Sequence, residues 1–173
     1  MPEPRTEQDS ARAARGASSV LLDEHDAHLV TLARQVRDRA YAPYSRFSVG
    51  AAVRAQQAGP LPDVGAQQAG PLHRSGATFA GCNVENASFG LTICAERNAV
   101  FQAVAAGVRR IDAVAVVTDA PTPTMPCGAC RQVLREFGPD MVVIGATVDG
   151  KIARYRLSDL LPGSFGPEDL PGA

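Results

Sequence analysis

Cys127 and Cys130 stand three residues apart in the run Pro-Cys-Gly-Ala-Cys, at the start of a segment whose apolar spacing predicts a helix over 128–137. Upstream, Cys94-Ala95-Glu96 opens a second segment of helical spacing over 92–106, closed by Gly107. The Cys-x-x-Cys pair alone leaves three readings open: a redox dithiol, half of a zinc site, or two small buried hydrophobes. Adding Cys94 changes the balance, because three thiolates supply three corners of a tetrahedron. The fourth is left for water, which is the open arrangement of a catalytic zinc rather than a closed structural one. A helix N-terminus also favours thiolate over thiol, since its free N–H groups and dipole stabilise negative charge. Glu96 is less decided. Residues two apart on a regular helix point to nearly opposite sides, so Cys94 and Glu96 share a site only where the chain is entering its first turn. A Glu in a first turn is also common simply because it complements the dipole. His25, His28 and His73 lie far from both cysteine groups in the chain and read as surface residues, and Cys82 reads as a buried small hydrophobe in a strand.

The remainder of the chain predicts what carries these groups. Four cysteines in 173 residues are too few for a disulfide scaffold. Residues 1–22 lack a sustained apolar period and read as a disordered tail, leaving a single domain over 23–170. Leu29, Leu32, Ala33, Val36 and Ala40 recur at helical spacing from Asp23 onward, stopping before Pro43. Strands are predicted over 47–54, 77–82, 111–118, 141–144 and 151–156, the last introduced by an Asp149-Gly150 hairpin signal. The alternation of strand and helix implies parallel crossovers. The predicted fold is α/β, a three-layer α/β/α sandwich around a mixed five-stranded sheet.

Residues 55–65 (AQQAGPLPDVG) and 66–76 (AQQAGPLHRSG) form an eleven-residue tandem repeat with eight identical positions. A period this short is not a solenoid's, and two copies rich in Gly, Pro and Gln bury no core, so the segment reads as a tolerated loop duplication, with a contact loop as the alternative. A formal net charge of -1 gives no global attraction to nucleic acid or to an anionic membrane. No run approaches the roughly 20 apolar residues of a membrane span. The first nineteen residues lack the apolar run of a signal peptide, so a soluble, cytoplasmic protein is expected.

Cys-Ala-Glu followed by Pro-Cys-Gly-Ala-Cys resembles the zinc deaminase signature, in the variant whose first ligand is Cys rather than His. Around it, Y-A-P-Y-S-R-F-S-V-G-A-A from Tyr41, G-C-N-V-E-N-A-S-F-G-L-T from Gly81, C-G-A-C-R-Q-V-L-R-E-F from Cys127 and L-L-P-G-S-F ending at Phe165 are similar to the small homotetrameric cytidine deaminases. The similarity runs from about Tyr41 to Phe165 and rests on several separated motifs in the family's order.

The resemblance implies a cytidine deaminase-like fold and the hydrolytic deamination of cytidine and 2'-deoxycytidine to uridine and 2'-deoxyuridine, with release of ammonia, as in pyrimidine salvage. It implies Zn2+ held by Cys94, Cys127 and Cys130, with Glu96 as the proton shuttle and not a ligand. Zinc brings the pKa of a bound water from 15.7 to about 7, but three thiolates leave the centre formally at -1 and oppose that change. Arg97 matches an arginine that hydrogen-bonds to a ligand sulfur and draws off charge. Asn83 and Glu85 match the pair that holds the ribose 3'-hydroxyl, and Phe47 matches an aromatic beside the base. The backbone of Ala95 positions the pyrimidine, and Ala87 maps to a contact from an adjacent subunit with the 5'-hydroxyl. Phe165 resembles a C-terminal aromatic that covers the base in a neighbouring subunit's site. Phe89 stands where many relatives carry Tyr, keeping the ring and losing a hydroxyl. The expected partners are a small nucleoside and other copies of the chain, with no nucleic acid and no membrane. A blasticidin-type deaminase, a polynucleotide-editing deaminase and a silent zinc-stabilised assembly protein are the competing readings.

Overall fold

The computed structural model describes residues 22–56 and 76–171. The predicted tail therefore lies outside the described residues except for Leu22. The duplicated segment does so except for Ala55, Gln56 and Gly76.

A five-stranded sheet forms the middle layer, in the order β2-β1-β3-β4-β5, with β1 over Gly50–Ala55, β2 over Thr78–Cys82, β3 over Ile111–Thr118, β4 over Val142–Thr147 and β5 over Ile152–Arg156. Only β3 and β4 pair in parallel; the other neighbours are antiparallel. The expected crossovers are both present but differ in span. The helix α3 (Gly128–Phe137) links the adjacent strands β3 and β4, whereas α2 (Ala95–Ala105) links β2 to β3 with β1 lying between them.

Period-two burial divides the core between the two faces of this sheet. On one face Ala52, Ala113, Ala115, Val117, Ile144 and Ala146 pack against Leu29, Val30 and Ala33 of α1 (Glu24–Arg37). On the other, Ala51, Val53, Val114, Val116 and Val143 meet Ala95, Ala99, Val100 and Ala103 of α2 and Leu134 of α3. The three-layer arrangement follows, with α1 the one helix on its side among the described residues. Asp23 caps α1 by accepting the Asp26 N–H at 2.8 Å. Asp26, 1% exposed, then pairs with Arg54 of β1 at 2.9 Å and Arg154 of β5 at 3.2 Å, fastening that helix to its sheet.

The backbone of α2 at Ala95 and Ala99 lies close over Gly81 of β2. A Cβ on Gly81 would sit 2.5 Å from the Ala99 nitrogen and 2.8 Å from the Ala95 oxygen, so only glycine fits beneath the first turns of that helix. Asn98 and Gln102 reinforce the approach by donating their side-chain amides to the Cys82 and Ala80 carbonyls, each at 2.7 Å.

Several boundaries differ from the sequence expectation: the first helix ends at Arg37, short of Ala40, some strand limits shift by one residue, and three larger differences have a local cause. Residues 47–49 are not strand, because the Asn83 side chain takes up the Val49 N–H at 2.8 Å and the Phe47 carbonyl at 2.9 Å in place of a neighbouring strand. The helix expected from Thr92 begins at Ala95, since Ile93 bonds in both directions with Val84 and Cys94 is the N-cap. The strand expected to end at Ile144 continues to Thr147, where pairing on both sides overrides the weak strand propensity of Gly145 and Ala146. At the Asp149-Gly150 hairpin only Gly150 is left-handed, at φ 95°, so the turn is not of the two-residue type that needs positive φ at both positions.

Candidate metal centre and active site

Cys94 and Cys127 are the N-caps of α2 and α3, both in extended backbone conformation, and Cys130 is the third residue of α3. The crossovers start both helices on the same face of the sheet, so their N-termini meet. The three Sγ atoms lie within 4.8 Å of one another, and Cys94 and Cys127 are 4.0 Å apart. Thiolates around one zinc at about 2.3 Å would stand roughly 3.8 Å apart, so the donor set fits such an ion with small side-chain adjustments. Gly145 helps to place this corner. A Cβ there would meet the Thr124 carbonyl at 2.9 Å, and its absence lets the segment before Cys127 lie flat on β4. Among the described residues no other group of three or more His, Cys, Asp or Glu is gathered closely enough for a metal. His25 and His28 are exposed, and His73 lies outside the described residues.

Without a metal the sulfurs share protons unequally. The Cys94 thiol is pulled down to about 5 by a hydrogen bond from Cys130 and by Arg97, against the opposing effect of burial. Cys130 is pushed up because its proton serves Cys94 and because it is buried. Arg97 donates Nη2 to Cys94 Sγ at 3.6 Å and to the Thr92 carbonyl at 3.0 Å. Glu96, the second residue of α2, is only 5% exposed, and burial raises its carboxyl, with the neighbouring Cys94 charge acting in the same direction. Cys94 and Cys130 are the sulfurs that act on this buried carboxyl, an environment of the kind that tunes a carboxyl for proton transfer. The first turn of α2 does bring Cys94 and Glu96 to one region, as its N-cap geometry permits.

A second cluster follows β2 and is linked to the residue before Cys94 by the Val84–Ile93 bridge. Asn83, 8% exposed, follows that strand and is bonded to the backbone of 47–49. Glu85 accepts the Tyr44 and Ser45 N–H groups on Oε2 at 2.9 and 3.2 Å, and the Ser45 hydroxyl on Oε1. These bonds, the Ser45 hydroxyl foremost, hold the Glu85 carboxyl below its ordinary value. Phe89 opens a short 3-10 turn over Phe89–Leu91 and packs edge-on against Tyr44 with ring centroids 6.0 Å apart. Ala95 is fully buried. Ala87 is exposed, and Phe165 is 59% exposed on a C-terminal arm whose carbonyl accepts Gln132 of α3 at 2.9 Å. Among the described residues no hydrogen bond or ring stack joins either of these two to the sulfurs. Cys82 is half-buried rather than buried and donates to the Arg39 carbonyl at 3.4 Å, apart from the cluster.

Two contributors were not anticipated from the sequence. Ser45 bonds both Glu85 and the Phe47 N–H; its place in Pro-Tyr-Ser, two residues before an aromatic, carries only the ordinary signal of a hydroxyl-stabilised turn. Arg131 donates to the Pro126 and Leu160 carbonyls, each at 2.7 Å, joining the segment before Cys127 to the base of the C-terminal arm. A cavity of about 240 Å³ lies away from the sulfurs, between Arg135, Leu157 and the arm at 161–164, and contains none of the anticipated residues.

Comparison with known proteins places this geometry. Residues 52–146 match the family described as the cytidine and deoxycytidylate deaminase zinc-binding region, a span that includes all three clustered cysteines. The cytidine deaminase of Halalkalibacterium halodurans is 44% identical over 143 residues, covering 82% of this chain and 95% of that protein. That of Sporosarcina psychrophila is 41% identical over the same length, covering 82% and 92%. The crystal structure of cytidine deaminase from Burkholderia pseudomallei aligns with a TM-score of 0.68 at 41% identity, covering 83% of this chain and all of that one. No helix among the described residues is long and apolar enough to cross a membrane. With the fold, the sulfur cluster and the similarity in agreement over most of its length, the chain belongs to the cytidine deaminase family.

Proposed function

We propose that this protein deaminates cytidine and 2'-deoxycytidine hydrolytically, replacing the ring amine by the oxygen of water and releasing ammonia. The observation that carries the reading is the placing of three sulfurs within 4.8 Å of one another at two helix N-termini, with the 5% exposed Glu96 in the same first turn. Cys94, Cys127 and Cys130 would hold zinc, which when bound supplies the Lewis acidity that makes water a nucleophile near neutral pH. Glu96 accepts one proton from the attacking water and delivers it to the ring N3, then takes the second from the hydroxyl now on C4 and passes it to the amine, which leaves as ammonia as the C4 carbonyl forms. Its burial favours the protonated form and so suits it to the second half of this relay. Arg97 withdraws charge from the sulfur-rich centre through Cys94.

Bond counting supports a free ribose hydroxyl as the feature recognised. Glu85 uses three of about four acceptor positions, and Asn83 retains one amide hydrogen and one lone pair beyond its bonds to 47–49. A 3'-hydroxyl can donate to the first and accept from the second, whereas a 3'-phosphate cannot donate and would set negative charge against the Glu85 carboxylate. The substrate is therefore a nucleoside rather than a position within a polynucleotide. Phe47 and the Ala95 backbone flank the base.

The aromatic walls favour a homotetramer with shared active sites. Phe89 is 75% exposed and Phe165 is 59% exposed in the single chain, yet a pocket that excludes water needs such rings covered. A second copy bringing Phe165 and Ala87 to the sulfur cluster supplies that cover. The unit that does this is a single domain over 23–170. A reducing compartment, the cytoplasm, suits a site made of three free thiols.

Ammonia release from cytidine, followed with metal analysis of the same purified sample, tests the reading. Turnover with one equivalent of zinc per chain is expected. Zinc-loaded protein that leaves cytidine and deoxycytidine untouched, while acting on another cytosine nucleoside, would reassign the substrate.

A further inference from the structure

The turn 44–47 is built around a carboxylate. Successive N–H groups of Tyr44 and Ser45 converge on Glu85 Oε2, and the Ser45 hydroxyl alone reaches Oε1. The same Ser45 oxygen accepts the Phe47 N–H at 3.0 Å. Between them Arg46 is left-handed at φ 56°, the one non-glycine residue with positive φ among those described, and its N–H closes the turn onto the Ala42 carbonyl at 3.0 Å. A bulky side chain in that conformation is uncommon and persists where surrounding bonds require it. Adjacent N–H groups arranged in this way form a concavity that binds anions, and here the anion is the protein's own side chain.

The unequal division of bonds between the two oxygens matters. The last torsion of a glutamate is soft and broad and turns both oxygens together, so the plane of the carboxylate is fixed only when both ends are held: two N–H bonds hold Oε2 and one hydroxyl holds Oε1. Among the described residues the Ser45 hydroxyl is the one partner on Oε1. We propose that Ser45 is a positioning residue for recognition of the 3'-hydroxyl: its hydroxyl orients the Glu85 carboxylate, and its oxygen ties that carboxylate to the backbone of the aromatic at Phe47. This rests on the reading of Glu85 as the ribose contact given above. Ser45 touches neither base nor metal in this role, so its influence is on binding one substrate group and not on the chemical step.

Steady-state kinetics of the zinc-loaded protein with cytidine and with 3'-deoxycytidine test the inference. Ser45→Ala is expected to raise KM for cytidine about tenfold, the scale of one lost oriented hydrogen bond to a charged group, with kcat nearly unchanged. KM for 3'-deoxycytidine should stay as in the parent protein, because that substrate lacks the group being oriented, and this also shows that the site has kept its shape. Ser45→Thr, which retains a hydroxyl, should restore discrimination between the two nucleosides. An equal rise in KM for both substrates, or no rise for cytidine, overturns the positioning role. Glu85→Gln separates this from the underlying reading: if it leaves the preference for the 3'-hydroxyl intact, Glu85 is not the ribose contact and both fall. If Glu85→Gln abolishes the preference while Ser45→Ala leaves it unaltered, only the role of Ser45 is lost.

Discussion

The Arg97 guanidinium bridges the Cys94 sulfur at 3.6 Å and the Thr92 carbonyl at 3.0 Å, so a single side chain ties the entry of α2 to one atom of the proposed metal centre. Removing a partner of this kind typically weakens metal binding by about ten- to a hundredfold. Arg97→Gln is expected to fall in that range when zinc is competed away by a chromophoric chelator. An affinity equal to the parent's would show that the bridge does nothing for the metal.

Glu96→Gln preserves shape and removes the proton carrier. Turnover should drop by about 10² to 10⁴, with zinc content and oligomeric state unchanged. The variant also has a thermal signature in metal-free protein. Burial raises the Glu96 carboxyl, so the folded chain keeps that proton to higher pH than the unfolded chain. Its contribution to stability is full at low pH and declines as pH rises from the ordinary carboxylate range through the raised value. A comparison of melting temperature against pH should show this decline in the parent and less of it in the Gln variant; parallel curves would argue against a buried, titrating Glu96.

In the metal-free protein Cys94 should be the more reactive of the sulfur pair it forms with Cys130. Its thiol is lowered to about 5 from 9.0, chiefly by the hydrogen bond from Cys130, which is itself pushed up. The resulting stabilisation is complete above the unfolded value, shrinks as pH falls, and is gone below the folded one. Alkylation followed by mass spectrometry across pH 4–9 is expected to show Cys94 labelling level off near neutrality while Cys130 remains protected. Bound zinc should protect both. A Cys94 rate still climbing at pH 9 contradicts the lowered value.

The C-terminal arm is clasped to α3 by Arg135, whose Nε donates to the Ser164 hydroxyl and whose Nη2 pairs with Glu168. Arg131 and Gln132 bind the same arm at the Leu160 and Phe165 carbonyls. If Phe165 covers the base, Arg135→Met should reproduce part of the Phe165→Ala phenotype: KM for cytidine rising several-fold, up to about tenfold, with little change in kcat. Kinetics of the two single variants and the double variant decide it. Fully additive effects would mean that the clasp and the ring act separately.

How far the sequence reveals this molecule depends on whether the deciding interactions are local. Strand β3 and helix α3 match their predicted limits because an unbroken apolar run and a Pro-Cys start with a Gly-Pro stop are local signals. The cysteines at 94, 127 and 130 were legible for the same reason, each at a helix entrance. Residues 47–49 read as strand because Phe47 and Val49 suit one, while two of their backbone groups are taken by the distant Asn83 side chain and the Phe47 N–H by Ser45. Ser45 escaped because its importance comes from Glu85, forty residues away, and spacing says nothing about that meeting. The exposed Phe165 and Ala87 have the same character: their roles, if realised, belong to the surface of another copy.

The β1-β2 hairpin has two ends with opposite obligations. Gly50 pairs with Cys82 at the end beside Asn83, while Ala55 and Ala77 are joined by a 2.8 Å backbone bond at the other, some 17 Å along the strands at about 3.4 Å per residue. The duplicated segment over 55–76 joins the hairpin at that remote end, its first residue Ala55 closing the ladder with Ala77. Length can therefore be added there without any change of register reaching the sulfurs. The end of the hairpin that takes up added length is thus parted from the end beside Asn83 by the whole paired stretch of β1 and β2.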